Sequence, residues 1–237
     1  LVKTPSDFGL RAEAPSHPEL LDWLAQQLLT QGWSTKHLHR AIVLSNAYQQ
    51  ASAPAPGDEA QRAAHETARL ADPENRLLWR MNPRRLDVEA YRDSILRIAG
   101  TLNADLYGPS EDLDAAGNTR RTIYGRVGRG RMNGLLKLYD FPEASQTAPS
   151  RDLTTTPLQQ LFVMNGPLLR GQANGIAAAV ARDAADTAER LRKLYRRILA
   201  RDASPREMDL GLSYLAQGTL EEYTHVLLST NEVLFQP

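Results

Sequence analysis

The sequence predicts a mainly α fold: a single helical domain over residues 1–237, with about seven to eight helices and one long irregular Arg/Gly-rich insertion at 103–156. Three observations predict it. Helix-start signals recur, with Ser16, Thr156 and Ser204 each followed within two residues by proline and at the third by Glu or Gln. Apolar residues between these starts repeat at three- and four-residue spacing. Strand signals are nearly absent, and at most Thr122 to Val127 reads as extended.

Taken in order, residues 1–16 read as an extended lead-in with Pro5, Gly9 and Pro15. Ser16 is then placed to cap a first helix in a box with Glu19, and Pro18 suits its first turn. Leu20, Leu21, Trp23, Leu24 and Leu28 supply its apolar face, and Trp23 is expected to be a core anchor. Gly32 ends it. Ser34 caps a second helix carrying Leu38, Ile42 and Tyr48, and so short a turn predicts an antiparallel pair. Residues 51–75, rich in Ala and Pro, read as a mobile connection holding at most one short helix. A further helix starts near Asp87 with Val88, Tyr91, Ile95, Leu96 and Ile98, and stops at Gly100. After the irregular insertion, a helix opened by Thr156-Pro157 should break at Gly166-Pro167. Leu191, Leu194, Tyr195, Ile198 and Leu199 mark an amphipathic helix, Ser204-Pro205 opens the next, and "EEYTHVLLSTNEVLF" closes the chain as helix.

The bulk composition excludes several function classes. Basic and acidic side chains balance at 28 each, which argues against a dedicated nucleic-acid binder and confines any basic site to a local patch. With no cysteine, the chain has no disulfide, thiolate metal site, c-type haem attachment or cysteine nucleophile of its own. No apolar run approaches the roughly 18 residues of a membrane span. The start, "LVKTPSDFGL", lacks the layout of a signal peptide and an initiating Met, as expected of a fragment or a processed chain.

The most unusual stretch is "RRTIYGRVGRGR", residues 120–131, with five arginines, three glycines and no acid. Guanidiniums grip sulfate, phosphate and carboxylate bidentately, and glycines let backbone N–H groups approach an anion. Arg121, Arg126, Arg129 and Arg131 are therefore the candidate ligand-binding residues. The alternative is that they reach distant carboxylates or another domain. The glycines at 125, 128, 130 and 134 miss dinucleotide-binding spacing. Asp7-Phe8-Gly9 lacks every other kinase element and reads as a turn. Arg80, Arg84, Arg85 and Arg92, set among Asp87, Glu89 and Asp93, read as a helix surface laced with ion pairs.

No metal is expected. The weak candidate pair is Glu222 and His225, one E-x-x-H where a di-iron bundle needs two copies and two further glutamates, so a structural histidine is the simpler reading. If the chain is an enzyme, Asp140 and Asp152 are weak candidates for general acid or base, since paired carboxylates are the minimum for glycoside chemistry.

Several phrases, taken together and in order over nearly the whole chain, carry a resemblance: "TPSDFG", "HPELLDWLA", "NRLLWRMNPRRLDVEAYRDSIL", "DLTTTPLQQLFVMNGPLL" and "LLSTNEVLF". They resemble planctomycete-specific domain one, a domain-of-unknown-function family. That resemblance implies the C-terminal part of a long, extracytoplasmic (periplasmic or secreted) protein, with a cytochrome c-like region and a second domain of unknown function upstream. It carries no catalytic residue to this chain and implies no cofactor within it. The expected role is an accessory or interaction domain of a redox-linked protein, whose partners are its own upstream domains and an anionic polymer such as a sulfated polysaccharide. The alternative is a carbohydrate-active enzyme domain with its site walled by 103–156. Nucleic acid is disfavoured by the balanced charge, and because only one aromatic, Tyr124, interleaves with the arginines.

Overall fold

The computed structural model describes the chain except residues 3–5, 7, 8, 11, 56, 116, 146, 147, 149 and 237. Asp7 and Phe8 of the expected Asp7-Phe8-Gly9 turn, and Pro5, thus fall outside the described residues. Among those described the fold is mainly α, with eleven helices and one two-residue strand pair. Within the expected single domain the chain forms two compact units, residues 1–84 and 85–236.

The first unit holds α1 (Pro18–Thr30), α2 (Thr35–Val43) and α3 (Glu59–Ala71). Helices α1 and α2 contact each other as a short-turn pair. Ser34 caps α2 by accepting the His37 N–H at 3.2 Å. The cap expected at Ser16 does not form: His17 is the N-cap of α1, and the Ser16 hydroxyl instead bonds His17 Nδ1 at 2.9 Å and Leu1 C=O. Pro18 opens the helix one position later than a Ser16 cap needs. The connection expected at 51–75 is largely helical, because Asp58 caps α3 by accepting the Gln61 N–H at 2.9 Å. Beyond α3, Asn75 is buried at positive φ and ties the next turn, donating to Arg80 C=O at 2.8 Å and accepting its N–H at 3.3 Å. Trp79 donates to Asp72 C=O at 2.9 Å and meets His65 edge-on. None of the residues of α1, α2 or α3 is buried, and Trp23 is 50% exposed, so it is no core anchor.

The second unit carries the core. It contains α4 (Val88–Ala99), a 3₁₀ turn (Thr122–Tyr124), α5 (Gly134–Leu138), α6 (Pro157–Asn165), α7 (Pro167–Asp183), α8 (Thr187–Leu199), α9 (Pro205–Leu215), α10 (Leu220–Leu228) and α11 (Asn231–Leu234). Strand β1 (Arg84–Arg85) pairs with β2 (Phe235–Gln236), and beside them Leu86 N–H donates to Leu234 C=O at 2.8 Å. Helix α7 is the hub. Its buried stripe, Leu169, Ala173, Ile176, Ala177 and Val180, recurs at helical spacing, and α7 touches α4, α6, α8 and α10. The facing side chains include Ile95 and Leu96 from α4, Leu191 and Leu194 from α8, and Leu227 and Leu228 from α10. The expected break at Gly166-Pro167 separates α6 from α7. Gly166 is needed there, because a Cβ would lie 2.5 Å from Phe162 C=O. Gly100 ends α4 at φ 78°, the left-handed conformation glycine adopts without penalty. The extended segment expected at Thr122 to Val127 begins as the 3₁₀ turn, and the insertion at 103–156 holds α5 besides.

Three helices open on reciprocal capping boxes: Thr156 with Gln159, Ser204 with Glu207, and Thr219 with Glu222. Glu207 is also gripped by Arg201 at 2.7 and 2.9 Å. Arg201, against the opposing effect of burial and with help from Ser204, holds the Glu207 carboxyl down from the ordinary 4.5 to about 2. A depressed carboxylate contributes stability that is complete above its unfolded value and is lost as pH falls through the folded one. The melting-temperature gap between wild type and Glu207→Gln should therefore be full above pH 4.5 and close as pH falls to about 2. A gap of constant size across that window, in a pH series of thermal melts, would contradict the assignment.

Candidate functional site

The insertion at 103–156 is held by buried arginines that the sequence reading had placed on a helix surface. Arg92 sits on the apolar stripe of α4 and is 2% exposed. Its guanidinium donates to Arg120 C=O and Asn118 C=O, both at 2.8 Å, and to Thr122 Oγ1 at 3.2 Å. Next to it Asp93 accepts the Thr122 N–H at 2.7 Å and its hydroxyl at 2.6 Å. One helical turn thus clasps residues 118–122 through five hydrogen bonds. Arg120 is also structural: it donates to Pro109 C=O and Tyr107 C=O, pairs with Glu111 at 3.2 Å and stacks over Tyr124.

The remaining arginines diverge from that frame. Arg121 reaches Asp93 at 3.8 Å while staying 45% exposed. The Arg126 backbone N–H donates to Glu111 C=O at 2.8 Å, so its position is fixed while its side chain is exposed. Gly128 and Arg131 then close a tight turn, with Arg131 N–H on Gly128 C=O at 3.3 Å and Arg129 and Gly130 at its tip. Directly after it Asn133 caps α5, accepting the Leu135 and Leu136 N–H groups, and Leu136 is buried as the anchor. The turn, α5 and the segment after it line a cavity of about 310 Å³ through Arg129, Arg131, Lys137 and Glu143. None of Arg126, Arg129, Arg131 and Lys137 makes an ion pair among the described residues. The structure thus brings Arg129 and Arg131 to one cavity, adds Lys137 and Glu143, and commits Arg121 to Asp93.

Glu143 also lines a second cavity of about 250 Å³, together with Asp140, Asp152 and Arg151. Asp140 lies at φ 60° and is fully engaged. It accepts Arg85 at 2.9 Å, the Thr154 N–H at 2.9 Å and the Thr154 hydroxyl at 2.7 Å. Burial alone would raise its pKa, but Thr154 and Arg85 together outweigh it and hold the carboxyl below its ordinary value. A general acid needs the opposite shift. Arg85 itself is 8% exposed and also donates to Gln159 Oε1 at 2.9 Å and Thr154 C=O. Arg151 grips Glu89 bidentately at 2.6 and 2.7 Å and lies over Phe141. Arg85 and Arg151 therefore fasten both ends of the segment after α5.

Glu222 and His225 are given different duties. Glu222 closes the capping box of α10 and accepts the Tyr214 hydroxyl at 3.4 Å. His225 Nε2 lies 2.9 Å from Val163 C=O, which can only accept, so that nitrogen carries the proton. Among the described residues no group of three or more His, Cys, Asp or Glu is placed to hold a metal. No helix of the described residues is long and apolar enough to cross a membrane.

The sequence puts Arg85 and Arg92 on a helix surface where the structure buries them, and it does not single out Lys137 and Glu143. A signal existed for Arg92, which shares the helical stripe of Val88, Tyr91, Ile95 and Leu96. Another existed for Glu222, as the fourth residue of a Thr-x-x-Glu capping box.

No curated protein and no solved structure matches the chain. One family profile does, over residues 1–215, and its description is PSD1, protein of unknown function (DUF1553). A match over so much of the chain places this protein in the PSD1 family.

Proposed function

We propose that the chain is an accessory domain of a longer, exported and redox-linked polypeptide, and that it holds an anionic polymer, a sulfated polysaccharide foremost. It needs no cofactor of its own, and its other partners are upstream domains of the same polypeptide. Export, the redox setting and the upstream partners rest on the family resemblance of the quoted phrases. Polymer binding rests on one observation: Arg129, Arg131 and Lys137 line a single cavity of about 310 Å³ without ion pairs among the described residues. Unpaired cations gathered on one turn and one short helix are what a chain of sulfates would engage, each by charge-assisted hydrogen bonds.

A sulfated oligosaccharide titrated into the protein tests this. Binding should weaken as salt rises, because exposed charges are screened over roughly 8–10 Å at physiological ionic strength. The Arg129→Ala/Arg131→Ala pair should bind about a hundredfold more weakly or worse, since each of the two lost hydrogen bonds to a charged group contributes about 1.5–3 kcal/mol. Arg129→Lys/Arg131→Lys keeps charge but removes the planar fork, so a bidentate site loses affinity where a merely steering patch does not. If these variants lower the melting temperature and leave binding untouched, the arginines are structural.

A second reading, a carbohydrate-active enzyme, is favoured by the cavity that Asp140, Glu143 and Asp152 share. With Asp140 held ionised by Arg85 and Thr154, proton transfer would fall to Asp152 and Glu143. Release of new reducing ends from the polysaccharide, abolished by Asp152→Asn, would establish it over simple binding.

A further inference from the structure

The first unit carries an apolar groove of about 530 Å³ between α1, α2 and the segment 78–84. Leu20, Trp23 and Leu24 form one wall at helical spacing, and Ile42 and Tyr48 form the next. Trp23 and Tyr48 are 50% and 47% exposed although they line the same concavity. An amphipathic helix must bury its stripe against another element, yet α1, α2 and α3 hold no buried residue. The third wall differs from the other two. It brings Arg80 and Arg84 to the groove, neither ion-paired among the described residues, and no acidic residue lines it.

We propose that this groove is the seat of an acidic amphipathic helix from a protein partner. Helices α1 and α2, joined by a short turn, present an apolar groove to a third, the arrangement in which a bound helix inserts anchors at i, i+3 or i+4, and i+7. The residues of α1 that line the groove, Leu20 to Leu24, span roughly 6 Å at 1.5 Å per residue, so the groove seats the anchors of one to two turns of the incoming helix. Apolar anchors would cover Trp23, Ile42 and Tyr48, and carboxylates on the adjoining face would meet Arg80 and Arg84. The inference goes beyond anionic polymer binding, because it concerns the other unit and a different partner class.

Selection of displayed helical peptides on the whole chain tests the proposal. Enriched sequences should carry apolar residues at i, i+3 or i+4 and i+7, and a net negative charge. A synthetic copy should shift the tryptophan emission of the chain. It should bind roughly tenfold more weakly or worse to Trp23→Ala, as loss of a central aromatic anchor implies. Arg80→Glu/Arg84→Glu should also weaken it, and a peptide with Glu replaced by Lys should restore binding to that variant. Circular dichroism identifies any variant that has unfolded. No enrichment, enrichment without helical period, or equal binding by the charge-reversed peptide on the wild-type chain would overturn the proposal. So would a concentration-dependent dimer abolished by Trp23→Ala, which assigns the groove to a second copy. Saturable binding of a long-chain carboxylate that excludes the peptide would assign it to a small amphiphile instead.

Discussion

Arg92→Ala is expected to destabilise the second unit by about 3 kcal/mol, since removing one partner of a buried charged cluster leaves the other groups unsatisfied. Arg92 is 2% exposed and its guanidinium supplies the donors for Arg120 C=O, Asn118 C=O and Thr122 Oγ1. An alanine leaves those acceptors facing a void where a planar fork had stood. For a unit of this size the melting temperature should fall by roughly 6–12 °C. Arg92→Lys restores the charge but not the fork, so it should recover only a minor part. Proteolysis should then cut within residues 118–122, where the lost clasp lies. A fall below about 1 kcal/mol would mean that the loop is held by Asp93 alone.

Leu194→Ala is the second large effect, on the order of 3 kcal/mol for a buried leucine whose cavity the core only partly closes. Leu194 is 0% exposed in the stripe that α8 turns toward α7. In denaturant titrations the midpoint should move while the slope stays constant, because the surface exposed on unfolding is nearly unchanged. Trp23→Ala makes the contrast. The sequence puts both residues on apolar helical faces, but Trp23 is 50% exposed, and its removal should cost about 1 kcal/mol or less. Equal losses at the two positions would show that the groove of the first unit is closed in solution.

Much of the fold was legible. The boxes at Thr156 and Ser204, the break at Gly166-Pro167 and the stop at Gly100 all form where the residues put them. The stripe Leu191, Leu194, Tyr195 and Ile198 is buried as its spacing required. The Ser16 box failed because the serine stands one residue too early for a helix that His17 caps. Helix α3 was undervalued because its alanines carry little periodic signal, although Asp58 is a good cap. The candidate site was legible only as a composition of arginines and glycines. Which of those arginines are consumed could not be read, since the acceptors lie elsewhere in the chain.

The division follows from the range of the forces. Caps, glycine stops and apolar periodicity act within one or two helical turns, so neighbouring residues alone determined that this chain is a helical protein with starts at Thr156 and Ser204. Burial and pairing of charge act across space. Arg92 meets residues 26 to 30 positions away, Arg151 finds Glu89 across 62, and Arg85 finds Gln159 across 74. A guanidinium is withdrawn from water only where enough fixed acceptors converge to replace its hydration. That convergence belongs to the packed tertiary structure, which buries Arg85 and Arg92 and leaves Arg126, Arg129 and Arg131 exposed to solvent.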